Sequence, residues 1–306
     1  MGAVRRFKPL FVAVSSIAAF AALSITAAPA AAFCRSTTCT GDCARDDDGC
    51  KTTGKKLFWP GVCVGVSLQR DGSVNIQKPF IQAVLDESFA TWSALDCGGT
   101  TATISFSRLA DVSCHQAEYS KSAPNANIIL FQDTQWHYKG VDNTLAKTTV
   151  TFDAETGEIL DADIEVNHAY NEFTVSESKV VFDLQSVLTH EIGHFIGLDH
   201  TLDPDATMFA GYDEGSTSQR TLEADDIAGA CAIYPATRSG KCEPLPRNGL
   251  GDACGVAATP GPTSSGDGAT SGCAIAFAPS VPASSILSLL GLGLALRLRR
   301  RSRFRS

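Results

Sequence analysis

The sequence predicts an α+β fold, built of short strands with a few helices among and after them. Three observations carry this expectation. Short alternating or continuous apolar runs between residues 57 and 166 ask for strands. Pro79–Leu95 and Asp183–Phe195 instead carry helical patterns. The elements read in the order β-α-β-β-β-β-α-α, neither strictly alternating nor segregated into an all-β and an all-α block.

Taken in order, Leu57 to Leu68 alternates enough for a strand, closed by the turn Arg70-Asp71-Gly72-Ser73. Pro79 to Leu95 is amphipathic, with Phe80, Val84, Phe89, Trp92 and Leu95 recurring at helical spacing. Thr101 to Phe106 and Asn127 to Phe131 read as strands, the second a continuous apolar run suited to a buried position. Ala146 to Phe152 and Ala162 to Val166 form a hairpin-like pair around Glu155-Thr156-Gly157-Glu158. Asp183 to Phe195 is the second helix. Thr221 to Ile233 is the last, with Thr221 as its N-cap and acids in its first turn, where the helix dipole favours them.

Around a folded unit at 57–236, long enough for one sizeable core, the chain divides by composition. Residues 1–32 carry Arg5, Arg6 and Lys8, an apolar stretch from Leu10 to Ala28, and Ala30-Ala31-Ala32. This is the layout of a signal peptide cut after Ala32. Residues 33–56 are cysteine-rich and have no apolar core of their own. Residues 237–272 are rich in Gly, Pro, Ser and Thr and read as a stalk. In 273–306, Cys273 precedes 23 uncharged residues and then six arginines between Arg297 and Arg305. Such a tail suits a membrane span with the arginines kept cytoplasmic. It also resembles bacterial C-terminal sorting signals of the MYXO-CTERM kind, which makes Cys273 an expected processing residue.

Charge excludes one class of partner. Setting aside the nine cationic residues of the two ends takes the formal charge from −8 to −17 for residues 33–273. So acidic a body argues against nucleic acid, which needs a basic footprint. Asp46-Asp47-Asp48 invites calcium, beside the plainer reading of a solvated loop. Eleven cysteines in an exported chain read as disulfides. Ten of them, from Cys34 to Cys254, can pair without remainder, and the pairing stays open. The four from Cys34 to Cys50 have a zinc knuckle as their alternative.

The chemistry-bearing string is H-E-I-G-H-F-I-G-L-D-H, from His190 to His200. His190 and His194 lie i,i+4 on one helix face and point at one ion. Glu191 between them is placed to act as general base toward a water in the open position. Gly197 can take the positive φ that ends a helix, so that His200 returns as third ligand. Three imidazoles with one open position describe a catalytic zinc site, whereas a structural site is closed by a fourth side chain.

With Met208 eight residues beyond His200, the string resembles the metzincin signature H-E-x-x-H-x-x-G-x-x-H with its Met-turn. Among metzincins it most resembles the matrixins. Thr201 follows the third histidine. Met208-Phe209-Ala210-Gly211-Tyr212 is similar to M-Y-P-x-Y, and Thr221 to Pro235 is similar to that family's closing helix. The resemblance spans roughly Leu57 to Pro235. It implies the zincin form of the α+β fold: a twisted mixed β-sheet packed on a first helix and an active-site helix, with a small C-terminal subdomain after the third histidine. Implied with it are one catalytic Zn2+ and endopeptidase action on protein or peptide substrates. It also implies a substrate pocket lined by Ser186, Ala210, Gly211 and Tyr212. Lys147 and Asp163 stand where many matrixins carry histidines for a second zinc, so His115, His137 and His168 are read as ordinary polar side chains. No cysteine of the P-R-C-G latency type is found. Two non-enzymatic alternatives are a zinc-binding scaffold and a surface-tethered adhesion protein. Intact Glu191 speaks against the first, and the complete site against the second.

Overall fold

The central sheet buries the apolar runs of its strands, together with Asp161, Asp163 and Glu165 of one of them. The computed structural model describes Gly2, residues 33–139 and 144–253, and the backbone of 269–277. The elements are β1 (Cys34–Arg35), β2 (Cys63–Leu68), α1 (Lys78–Ser93), β3 (Ser105–Arg108), β4 (Ile128–Phe131), β5 (Thr144–Phe152), β6 (Ile159–Val166), β7 (Phe173–Thr174), β8 (Phe182–Asp183), α2 (Leu184–Phe195), β9 (Leu198–Asp199), β10 (Gly211–Tyr212), α3 (Ala224–Ile233) and β11 (Ala269–Phe277). The main sheet runs β10-β11-β5-β6-β4-β2-β3. The strands β3, β2, β4 and β6 are parallel, and β5 is antiparallel to β6. The expected hairpin is therefore present, with Thr148 opposite Ile164 and Lys147 opposite Glu165. All four residues of β4 are buried, as its unbroken apolar run requires.

Both long helices belong to the same core as the sheet. Trp92 of α1 is fully buried and donates its indole N–H to the Thr189 carbonyl of α2 at 2.8 Å. Trp59 donates likewise to the Phe195 carbonyl, and the Tyr234 hydroxyl to the Ile196 carbonyl, both at 2.8 Å. These three bonds hold α2 and the residue that follows it. Each satisfies a polar ring atom that burial would otherwise penalise.

Several expectations are corrected here. The buried stripe of α1 is Ile81, Leu85, Ser88, Phe89 and Trp92, while Phe80 is 52% exposed. One residue is about 100° of helix rotation, enough to turn Phe80 off the stripe. The last helix starts at Ala224 and not near Thr221, because a 3₁₀ turn at Ser218–Arg220 takes up the intervening chain. Glu223 and Asp226 form a capping box, in which the Glu223 carboxylate accepts from the Asp226 N–H and the Asp226 carboxylate from the Glu223 N–H at 2.9 Å. The first strand begins at Cys63, six residues later than the alternation suggests.

The disulfides Cys34–Cys50 and Cys39–Cys43 tie residues 33–56 together, which removes the zinc-knuckle alternative. Cys63–Cys242 and Cys97–Cys231 close loops of 179 and 134 residues, and Cys114 is also disulfide-bonded. Cross-links spanning loops this long restrict the unfolded chain most.

A further correction concerns the C-terminal part. The stalk expectation runs to Gly272 and the apolar span starts at Ala274, whereas 269–277 form one strand, β11, paired along β5. The expected signal peptide with Ala32, Cys254 and residues 278–306 lie outside the described residues, as does the side chain of Cys273. Among the described residues no helix is long and apolar enough to cross a membrane.

Candidate metal centre and its cleft

α2 is set at its first turn. Asp183 is the N-cap, and its Oδ2 accepts from the Ser186 N–H and hydroxyl, both at 2.8 Å. Arg220 grips the same carboxylate with two donors, at 2.8 and 2.6 Å. That bidentate pair raises the Arg220 guanidinium above its already high range, with burial opposing. Downstream, the chain leaves the helix through Gly197 at φ +100°, as its position implied. A Cβ there would also lie 2.7 Å from the Leu57 carbonyl oxygen. The chain then reverses into β9 and delivers His200.

The three imidazoles converge. The Nε2 atoms of His190 and His194 are 3.1 Å apart, those of His190 and His200 3.2 Å, and those of His194 and His200 3.1 Å. An ideal tetrahedron with Zn–N bonds of about 2.0 Å sets its ligands about 3.3 Å apart, so the spacing fits Zn2+. This is the one cluster of three metal-ligating side chains among the described residues. The outer nitrogens are also occupied: His190 Nδ1 lies 2.6 Å from the Thr207 carbonyl and His194 Nδ1 3.0 Å from that of Leu198. A carbonyl can only accept, so each Nδ1 carries the proton and each Nε2 turns a lone pair to the ion. Burial, then the neighbouring imidazoles, pushes His190 well below the usual histidine range. His200 is pushed down to about 3, by burial first and His194 second. Neutral imidazole is the metal-binding form.

The loop that carries His200 is braced by residues 33–56. β1 pairs antiparallel with β9, Cys34 opposite Asp199. The Ser36 hydroxyl donates to the Leu198 carbonyl at 2.8 Å, and Lys51 meets Asp199 at 3.0 Å. Burial would raise the Asp199 carboxyl, but His194, Lys51 and the His200 N–H together outweigh it and hold it low. Cysteine-rich composition alone gave no sign of this role.

Met208 is 2% exposed and lies beneath α2. A Cβ added to Gly193 would stand 2.1 Å from its Sδ, which explains a glycine inside the histidine helix. The turn is anchored by Asp226, whose carboxylate accepts from the Thr207 N–H at 2.8 Å and the Met208 N–H at 3.0 Å. Glu191 is fully buried, and its Oε2 accepts from the Thr148 hydroxyl of β5 at 2.5 Å. Sequence reading missed Thr148, Gly193 and Asp226. Gly193 left a signal as a helix-weakening residue in mid-helix, and Asp226 only as an acid in the first turn of the last helix.

Of the expected pocket residues, Gly211 and Tyr212 line a cavity of about 120 Å³ with Phe209 and Gln219. Ser186 is fully buried, is not among the residues lining that cavity, and spends its hydroxyl on Asp183. The Tyr212 hydroxyl accepts from the Asp183 N–H at 2.9 Å, and burial pushes the phenol up to about 12. Ala210 is half-buried in the strand approach. His168 sits with Asp133 at 3.0 Å and Ser73 at 2.7 Å, and His115 with Gln69 at 2.7 Å. His137 is exposed. Asp46, Asp47 and Asp48 are exposed, with Asp46 accepting from the Cys50 N–H.

Comparison with known proteins agrees with this geometry. Residues 75–235 match the family described as Matrixin. Human neutrophil collagenase is 37% identical over 84 residues, covering 26% of this chain and 18% of that protein. Metalloendoproteinase 1-MMP of Arabidopsis thaliana is 35% identical over 97 residues, 32% of this chain and 25% of the plant protein. Matrix metalloproteinase-C of Caenorhabditis elegans is 25% identical over 191 residues, 60% of this chain and 30% of the worm protein. The chain therefore spans less than a third of the length of these relatives.

Proposed function

Because the chain belongs to the matrixin family by a match over more than half its length, we propose that it is an exported zinc endopeptidase acting on extracellular or surface polypeptides. The carrying observation is the convergence of His190, His194 and His200 beside a buried Glu191 that Thr148 holds in place. Bound there, zinc would supply Lewis acidity for the scissile carbonyl and for the attacking water. Glu191 takes the proton of that water on a carboxylate oxygen and passes it to the departing amide nitrogen. Thr148 donates to Oε2, which orients the carboxylate. Thr207 and Leu198 hold the two helix histidines in one tautomer. Lys51 and Asp199 steady the approach to the third.

Specificity rests on the pocket beside β10. Gly211 and Tyr212 form its outer wall, and Ala210 leads into it. Ser186, small and turned toward Asp183, leaves the pocket open. Such a pocket accepts a large apolar side chain after the cut bond. Export accords with the disulfides, which form in oxidising compartments. In this reading the signal peptide ends at Ala32, and the sorted or membrane-held tail follows β11, beyond Phe277.

The test is proteolysis of an unfolded fluorescent protein by the purified chain, with and without a zinc chelator, beside a Glu191→Gln protein. The expected outcome is chelator-sensitive cleavage, lost in Glu191→Gln while one zinc per chain is retained. Cleavage by Glu191→Gln at the wild-type rate would falsify the assignment of the base. Cut-site profiling that showed charged residues or glycine after the bond would refute the pocket.

A further inference from the structure

Without β11, β5 would be an open edge of the main sheet. Its outer row of N–H and C=O groups is the kind of surface that captures extended chain. β11 takes that place from this chain itself. It runs antiparallel to β5, from Ala269 opposite Phe152 to Ile275 opposite Ala146. It then runs parallel to β10, with Ala276 opposite Gly211 and Phe277 opposite Tyr212. It also touches α2, the helix that carries His190, Glu191 and His194. Cys273 is registered opposite Thr148, the residue whose hydroxyl holds Glu191. The segment thus lies along the cleft, between the strand that positions the base and the strand that walls the pocket.

We propose that Ala269–Phe277 is an intramolecular occupant of the polypeptide-binding cleft, held as a main-chain-paired strand, and that incoming substrates bind by displacing it. This rests on the endopeptidase reading for what the cleft is for, but not for the occupancy itself. Two features favour it. Pairing along β5, joined by β10 at Ala276 and Phe277, holds the segment through main-chain groups without demanding particular side chains, which is how an extended peptide adds to a sheet. The segment is attached through the residues after Asp252, so its local concentration at the cleft is set by the linker and not by mixing. Dissociation of β11 would expose an edge with the polarity for another extended chain, antiparallel on β5 and parallel on β10. Latency then needs no N-terminal cysteine.

The test reads occupancy and activity separately. Amide exchange on the full chain, carrying Glu191→Gln so that it stays intact, is expected to show β5 protected on both of its edges. Thr270→Pro with Ala274→Pro should speed exchange of alternate β5 amides by about tenfold or more, leaving β6 and α2 unchanged. Unprotected outer amides in the unsubstituted chain would overturn the proposal without recourse to any variant. In the chain with Glu191 restored, the two prolines should raise cleavage of the unfolded fluorescent protein by about tenfold. A synthetic peptide of residues 269–277 should reverse that gain. Equal, measurable rates with and without the prolines would also overturn it. If exchange responds but neither chain cuts, the endopeptidase reading fails and the occupancy stands.

Discussion

Thr148 and Gly193 make contacts on which the site depends, and neither is a metal ligand. The Thr148 hydroxyl donates to Glu191, and a hydrogen bond to a charged group contributes about 1.5–3 kcal/mol. Thr148→Val should therefore lower kcat by about 10- to 100-fold with little change in KM and full zinc content. Thr148→Ser should restore most of the loss, whereas a purely structural defect would not recover in this way. Steady-state kinetics beside metal analysis reads both. Gly193→Ala forces a methyl group into the space of the Met208 sulfur, an overpacking that costs about 1–3 kcal/mol. Its Tm should fall, and Met208→Ala in the same chain should recover part of the fall. Strict additivity of the two changes would show that they do not meet. The ligand spacing and Glu191 were legible in the linear string because helix geometry alone brings His190 and His194 together. Thr148 was not, since its partner lies 43 positions away.

At the scale of elements, the zinc site is held where short segments meet. α3 reaches the site through Asp226, which accepts the N–H groups of Thr207, Met208 and Glu223. Thr207 in turn receives His190 through its carbonyl. Asp226→Ala would leave three donors without their acceptor, at about 1–3 kcal/mol for each that stays dry. The expected result is a lower Tm together with zinc affinity weakened about 10- to 100-fold, as is usual for outer-shell partners. Unaltered affinity in a folded variant would separate the Met-turn from the metal. The sequence marks Asp226 only as an acid in the first turn of a helix, and its dipole role accounts for it there. Its second role exists because the Met-turn folds over that same terminus. Likewise the alternation before Cys63 suggested a longer first strand, but partners for Leu57 and Phe58 come from Ser36 and Gly157, outside any regular ladder.

Across the whole molecule, buried charge shapes the response to pH. Asp161 and Asp163 stand on β6, both almost wholly buried and close enough to interact. Burial raises both carboxyls, Asp163 to about 8, with the neighbouring acids adding to the effect on Asp161. The folded state thus holds protons that the unfolded chain releases near pH 4, so this stability is present below about pH 4 and is lost as pH rises toward about 8. His190 and His200 act in the opposite sense, and only below about pH 6.5. Above about pH 7 the carboxyl effect is therefore seen alone. Denaturant stability should fall between about pH 7 and pH 9, and Asp161→Asn should flatten that fall. A flat profile in the unsubstituted protein would refute protonation of this buried pair. Nothing in the spacing of Asp161 and Asp163 announced it, because alternate positions of a strand share one face and the spacing does not say whether that face is covered.

What the sequence determined by itself is whatever depends on separations of a few residues. These are the helix that places two histidines and a glutamate, the glycine that reverses the chain, and the buried run of β4. The α+β order follows as well, since each element carries its own period. Tertiary structure alone decided which cysteines met, which segment braced His200, which hydroxyl held Glu191, and where residues 269–277 lay. Each of these joins groups distant in sequence, and their pairing follows from which surfaces the folded core leaves within hydrogen-bonding reach, a quantity that no local pattern records.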